Sequence, residues 1–520
     1  MINLVTLYLF FLNLCGLSFL FKYFFFKSKR IISLDLIYGF YFLLFLGIFS
    51  NFFIPLKFIF YPVIFVGTIS FLFNIRYFKL KFNHYFLIIA VVFFISLSNG
   101  IAVDSIVYHL QIIQKFNSNP IILGFSNLDS KYGFNNPWQL IMSIFYFNNK
   151  QVNFIYYFNL VIFSTLIYEA LCRKEKKSIS NIFLIFAISF LFLYSFIHPS
   201  GNGLILTLLG SPDTDLPASI LCILSIYVFL KKNINCQHLP FFVLLCFFCK
   251  ISYFFLFIFL INPIYFSRKN LILISIPLIL YIIRNLLISG CAIYPLPVSC
   301  FDFAWTDISA TVKLNNILTS FSRDIGLRVN YMNFDYTLNS FDWLKPWLVN
   351  YFLKNSIIQI TIFSSSLVLV SYLINYKKNS DYSNRNMIVF LFFVLSLMLW
   401  IKALDVRYIY GILISMNAFF FAHIYLTYKS LNSFNFNFRI FSILTFFILF
   451  LKNYQNIHYI NKNTKDEFVN YKYKLIDAVN LVYNPHDKCA DFYSWCTYES
   501  VSKFIINKNL HLIEITKKNG

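Results

Sequence analysis

The sequence predicts an all-α polytopic membrane protein of about 13–14 membrane segments, with loops on its outer face and a small C-terminal region. Three observations predict it. Apolar residues make up 59% of the 520 and charged residues only 12%, roughly half the charge of a soluble domain. The apolar residues fall in runs long enough to cross a bilayer. The 43 Lys and Arg against 21 Asp and Glu give a net charge of +22, but the basic residues are scattered through short loops between those runs. That distribution fits orientation by lipid and excludes a nucleic-acid surface. The 69 Phe and 36 Tyr, with many Ile, Asn and Lys, mark a drift expected of AT-rich coding, so single aromatics carry little functional weight.

The first run, 3–26, has no basic stretch before it and is followed by Lys27, Lys29 and Arg30, with no small-residue cleavage site. It reads as a retained span with its N-terminus outside. Further runs lie near 31–50, 54–75, 84–98, 152–171, 180–197, 214–230, 270–289, 355–376, 386–402, 408–428 and 437–453. The run 239–266 is the ambiguous one. As a single crossing it puts Arg268 and Lys269 outside and inverts every later loop; as two short helices meeting at Cys249-Lys250-Ile251-Ser252 it keeps all the basic loops in the cytoplasm. A tilted single helix with Lys250 snorkelling is the alternative. On the two-helix assignment Asp104, Asp129, Asp213, Asp215, Asp302, Asp307, Asp324, Asp335, Asp342 and Asp405 all face outward. The expected division is a membrane module over 1–453, with outer loops 99–151 and 290–354, and a small outer region over 454–520.

Four constellations stand out for chemistry. Asp104, at the rim of the run 84–98, shares a helical face with Tyr108 beside His109. A carboxylate there is expensive unless it has a task; it can serve as a general base toward an acceptor hydroxyl or as a helix cap. Next, Gly210-Ser211-Pro212-Asp213-Thr214-Asp215-Leu216-Pro217 sets two acids at the mouth of a span, where Asp213 and Asp215 can steer an acceptor, hold a divalent cation or cap the helix. Arg284-Asn285 sits near the end of another span, ahead of Tyr294-Pro295. The guanidinium fork of Arg284 suits a lipid phosphate, or a structural pair with Asp213, Asp215 or Asp302. Last, Asp405-Val406-Arg407-Tyr408 at a further outer edge adds positive charge suited to a phosphate headgroup.

Of the ten cysteines, only Cys291/Cys300 and Cys489/Cys496 fall where disulfides persist, and the tail pair Cys489–Cys496 is the favoured bridge. Nothing resembles a zinc site, a Walker loop, a dinucleotide fingerprint or a nucleophile elbow. A nucleotide-driven pump is therefore not expected.

Taken in order, the Asp104 segment, Gly124 to Trp138 with Asn127 and Asn135, the Ser211–Pro217 motif, Lys250-Ile251-Ser252, Arg284-Asn285 and Asp405-Val406-Arg407-Tyr408 resemble a group of bacterial membrane proteins similar to the GT-C glycosyltransferases, the architecture of protein mannosyltransferases and lipid A aminoarabinose transferases. The resemblance covers about residues 95–430. It implies a GT-C-like transmembrane helix bundle in the bacterial inner membrane, with the active site facing the periplasm. The implied donor is a sugar on a polyprenyl phosphate and the implied acceptor an envelope glycan, lipid or protein; no nucleic acid is involved. Carried over, Asp104 is the catalytic residue and Asp213 and Asp215 are second cavity acids. Lys250, Arg284 and Arg407 bind the donor phosphate, and Tyr108, His109, Asn127, Asn135, Trp138, Asn285 and Tyr408 support or meet the acceptor. Any divalent metal would use Asp104 and Asp215. Where many relatives have a second acid after the first, Ser105 follows Asp104 here, which weighs against metal dependence. Two other classes compete: an O-antigen polymerase or ligase, and a transporter or flippase for lipid-linked sugars. The latter is expected to show two related halves, and none is visible.

Overall fold

The computed structural model describes residues 4–29, 32–97, 105–147, 154–172, 178–197, 208–231, 238–261, 267–324, 333–355, 358–366 and 384–429, together with strands between 472 and 517. Among the described residues six helices are long and apolar enough to cross a membrane: Leu4–Phe26, Ser33–Ser50, Leu56–Tyr77, Phe154–Leu171, Arg268–Ser289 and Val406–Leu426. Shorter apolar helices lie between them, including Phe82–Leu97, Asp215–Leu230 and Arg385–Trp400. These helices are apolar around most of their circumference, as bundle helices in lipid must be. On Leu56–Tyr77 the large side chains of Tyr61 and Phe73 are 73% and 80% exposed, an apolar face that only lipid or another protein would cover.

Close helix packing depends on small and polar residues, because lipid supplies no hydrophobic drive between helices. A Cβ on Gly16 would lie 1.8 Å from the Gly67 carbonyl oxygen, so the first and third long helices meet backbone to backbone. The same seam is bonded by Asn13 Nδ2 donating to Ile64 O at 2.8 Å and by Ser70 Oγ donating to Gly16 O at 3.0 Å.

The run 239–266 is broken where the charge pattern requires. Helix Leu239–Cys249 stops, Lys250 is extended at φ −159 and ψ 118, and a 3₁₀ helix follows over Ile251–Leu260. Helix Arg268–Ser289 then starts with Ser267 Oγ accepting from Asn270 N and ends at Gly290 with φ +76, a left-handed cap that suits glycine.

Two polar centres occupy opposite ends of helix Asp215–Leu230, whose 16 residues span about 24 Å. At the Leu230 end the fully buried Asp35 meets Lys22 at 2.8 Å and His238 at 2.6 Å. Glu169 takes hydrogen bonds there from Ser33 and Tyr227. The Asp215 end carries the candidate site.

The C-terminal region contributes strands in two three-stranded sheets. Leu512–Lys517 pairs in parallel with Ile122–Leu123 and antiparallel with Phe504–Asn509. The tail is thereby attached to the segment 105–147, at the Asp215 end.

The bridged cysteines are Cys291 and Cys300, which also pair as an isolated antiparallel bridge. The turn at 291–300 brings these two thiols together, so the pair that the sequence placed second is bridged. Cys489 lies outside the described residues, and Cys496 is in the strand Trp495–Thr497.

Candidate functional site

The break at Lys250 places an ammonium group between two other segments. Lys250 Nζ donates to Asp215 Oδ1 at 2.5 Å and to the Arg407 carbonyl oxygen at 2.9 Å. It also lies 5.1 Å from the centroid of the Tyr408 ring. Ser252 Oγ donates to Tyr408 O at 2.7 Å, so both sides of the break are held on the 405–408 segment. Lys250 and Asp215 keep 15% and 18% of their side-chain surface, a half-sheltered pair at the rim of the bundle.

Asp215 is also within electrostatic reach of Arg407 and His109. Arg407 is oriented by Asp405, which accepts from Arg407 N at 2.9 Å and from Arg407 Nε at 3.1 Å. Asp405 is buried, whereas the Arg407 side chain is 42% exposed. One carboxylate thus aims the guanidinium while the other faces the ammonium group.

The acids of the 210–217 motif divide their tasks. Asp213 Oδ1 accepts from Asp215 N at 2.7 Å, closing the turn that starts the helix. Asn159 supports the turn from below: its Nδ2 donates to Leu208 O, Ser211 O and Asp213 O at 3.1, 2.7 and 3.0 Å. Trp138 Nε1 donates to Asn159 Oδ1 at 3.3 Å, which makes Trp138, fully buried, a support of this turn.

Asp104 lies outside the described residues. Its neighbour Ser105 begins a π-helical turn over Ser105–His109, and Ser105 Oγ is 2.6 Å from Ser211 Oγ. Tyr108 and His109 stack edge to face at 4.2 Å, with His109 buried and Tyr108 half-buried.

Arg284, expected to meet a phosphate or an acid, is placed among amides. Its side chain is 1% exposed, Nη1 donates to Asn51 Oδ1 at 2.9 Å, and Nε and Nη2 donate to Asn135 Oδ1 at 3.3 and 3.2 Å. The rings of Phe116 and Phe52 flank it at 4.8 and 5.8 Å. The bonds to Asn51 and Asn135 engage three of the five guanidinium N–H groups, all with amide oxygens. Arg284 pins three segments, with Asn135 Nδ2 donating to Asn285 Oδ1 at 2.7 Å and Asn285 Nδ2 to Ala292 O at 2.9 Å. The adjacent Asn136 donates to Cys249 O at 2.6 Å, connecting this pin to the Lys250 break. Asn127 holds the following loop through Trp305 O at 2.9 Å.

Asn159, Asn51 and Asn136 were missed by sequence reasoning. The available signal was an amide inside or beside an apolar run, which is costly unless bonded, but it was hidden by the general abundance of Asn. Among the described residues no group of three His, Cys, Asp or Glu is placed to hold a metal ion. With Lys250 against it, Asp215 is better matched to a cation of the protein than to a metal.

The family described as a domain of unknown function (DUF8201) matches residues 1–414, and the chain belongs to that family. No curated protein and no solved structure matches the chain.

Proposed function

We propose that this family member is a GT-C-like membrane glycosyltransferase of the bacterial inner membrane, moving a sugar from a polyprenyl phosphate to an envelope acceptor on the periplasmic face. The single observation that carries this is the group Asp215, Lys250, Arg407 and His109 at one rim of an apolar bundle, at a broken helix. A lipid-linked donor needs no nucleotide site, in keeping with a chain that has no nucleotide motif.

The chemistry asks for three things. The acceptor hydroxyl oxygen forms a bond to the anomeric carbon while the bond from that carbon to the donor phosphate breaks. The hydroxyl proton passes to a carboxylate, for which Asp104 is the candidate. The phosphate leaves with growing negative charge, which Arg407 and Lys250 stabilise from fixed positions. Arg284 is given no part in this step, because it is buried and bonded to Asn51 and Asn135.

The test is transfer by purified full-length protein from polyprenyl-phosphate sugars to envelope acceptors, with Asp104→Asn alongside. Wild type should transfer, and the variant should lose about 10²-fold or more. Full activity in the variant overturns the catalytic assignment; net movement of the donor across the membrane without transfer favours the flippase class.

A further inference from the structure

The stretch 344–353 is apolar both toward the protein and away from it. It is helical over Leu344–Trp347 and Leu348–Phe352, and apart from Lys345, Asn350 and the Tyr351 hydroxyl it carries no polar side chain. One face is buried on the protein: Trp347 and the preceding Trp343 pack with Leu404, and the Trp347 and Trp400 ring centroids are 6.1 Å apart. Away from that face the stretch is open, with Leu344, Leu348, Val349 and Leu353 between 37% and 56% exposed. A helix on a water-facing surface would turn charge outward there, and an apolar strip of this kind marks a contact.

The neighbours of that strip point to lipid. Trp400 is the last residue of the apolar helix Arg385–Trp400, so the stretch sits at the end of that helix, the depth at which tryptophan collects in membranes. Met398 and Ile401, at the same end, are each 62% exposed. Residues 358–366, helical soon after the stretch, expose Ile362 and Phe363. The open strip thus continues the apolar surface of two neighbouring helices. Lys345 and Lys354 are exposed beside it, of the sign that anionic headgroups attract, and Asn350 Oδ1 accepts from Lys354 Nζ at 3.3 Å. The exposed carboxylate of Asp342 keeps the start of the stretch on the water side.

We propose that the stretch 344–353 is a membrane anchor, lying in the plane of the headgroup–acyl boundary at the end of the bundle that carries Arg407, and that it sets the depth of Arg407 in the lipid. The connection is short. Tyr351 Oη accepts from Val406 N at 3.0 Å, Trp400 Nε1 donates to Asp405 O at 2.9 Å, and Asp405 accepts from Arg407 Nε at 3.1 Å. The phosphate of a membrane lipid lies at that same depth. That Arg407 meets a donor phosphate there rests on the transferase function above, whereas the seat in lipid does not.

The test uses the full chain in phosphatidylethanolamine–phosphatidylglycerol nanodiscs, without Cys172, Cys236, Cys489 and Cys496, and with an environment-sensitive fluorophore on Leu348→Cys or Val349→Cys. Lipids spin-labelled near the headgroup should quench the fluorophore severalfold more than lipids labelled deep in the acyl chain, and aqueous iodide should quench it little. Quenching by iodide alone puts the strip in water and overturns the anchor. Protection from all three quenchers overturns it as well, because the strip then lies under protein, whether a second copy or another part of this chain. Dominant quenching by the deep label makes the stretch a crossing and has the same consequence. The depth-setting role is read at Lys402→Cys, an exposed position on the way to Arg407. Its quenching by the shallow label should fall severalfold when Leu348→Ser, Val349→Ser and Leu353→Ser are combined; unchanged quenching overturns that role. Lipid quenching at Leu348→Cys in a protein that transfers no sugar sinks the enzymatic function and leaves the anchor standing.

Discussion

Lys250 Nζ lies 2.5 Å from Asp215 Oδ1, and the two residues sit at the broken end of one helix and the first turn of its neighbour. A continuous helix through 239–266 would carry Lys250 as one residue of a regular turn. The break frees it to reach across to Asp215 and to the Arg407 carbonyl. Charge and backbone irregularity are both costly in an apolar bundle, and here the two occur at the same residue.

That pairing predicts strong coupling. Lys250→Met leaves the Asp215 carboxylate half-buried without its cation, and Asp215→Asn leaves the ammonium group alone. Each single variant should lose about 10²- to 10³-fold in transfer rate. In unfolding experiments the double variant should fall short of additivity by about 1–3 kcal/mol. Strict additivity would mean that the two groups do not act on each other in solution.

Arg284 should behave as a structural residue. Arg284→Ala strands the buried Asn51 and Asn135 oxygens at about 1–3 kcal/mol for each unsatisfied acceptor, so its unfolding midpoint in detergent should drop markedly. Donor KM, measured on the folded fraction, should stay near that of wild type. Normal stability with a raised donor KM would restore Arg284 to the phosphate site.

The contrast between Lys250 and Arg284 shows what the sequence made legible. A charge inside an apolar run is visible at once, and the distribution of Arg268 and Lys269 was enough to demand the break at Lys250. What the charge answers to is a different matter. Lys250 meets a carboxylate 35 residues away, whereas Arg284 meets the amides of Asn135 and of Asn51, the latter from a residue type so common in this chain that it did not stand out. Asp35 and His238, 203 residues apart, were likewise beyond reach, because no local period links them. The two-residue strand Ile122–Leu123 is too short to show an alternation, so its pairing with the C-terminal region left no trace. Both cysteine pairs had workable spacing, and no feature of the sequence signalled the turn that brings Cys291 to Cys300.

The Cys291–Cys300 bridge closes a loop of sequence separation 9. On the chain-entropy account it should contribute about 2–3 kcal/mol. Mass spectrometry of the non-reduced protein should find these two residues linked, and Cys291→Ser with Cys300→Ser should lower the unfolding midpoint. Free thiols at both positions in freshly prepared membranes would contradict the structure and the oxidising location together.

Orientation can be read by labelling. Lys269 and Phe341 are exposed and lie on opposite sides of the bundle if the helices run as proposed. In a background without Cys172, Cys236, Cys489 and Cys496, a membrane-impermeant maleimide applied to intact cells should label Phe341→Cys and spare Lys269→Cys until the membrane is opened. Labelling of Lys269→Cys first would place Asp215 and Lys250 on the cytoplasmic side and remove the periplasmic transferase.

Asn159 gives the most specific expectation about the site turn. Its amide donates to three carbonyl oxygens of the 208–213 turn, and Trp138 fixes which way the amide points. Asn159→Ala removes every one of those donors without touching Asp215 or Lys250. Asn159→Asp replaces a donor by an acceptor facing carbonyl oxygens, so it should be the more damaging variant. A displacement of about 1 Å at a reacting group can cost 10²-fold in rate, and Asp215 follows directly on the turn that Asn159 holds. Amide hydrogen exchange over 208–215 should therefore rise in both variants, with transfer falling about 10- to 100-fold while the unfolding midpoint of Asn159→Ala remains measurable. If exchange in that turn stays at the wild-type level in Asn159→Ala, the turn is held by other contacts and Asn159 has no hand in positioning Asp215.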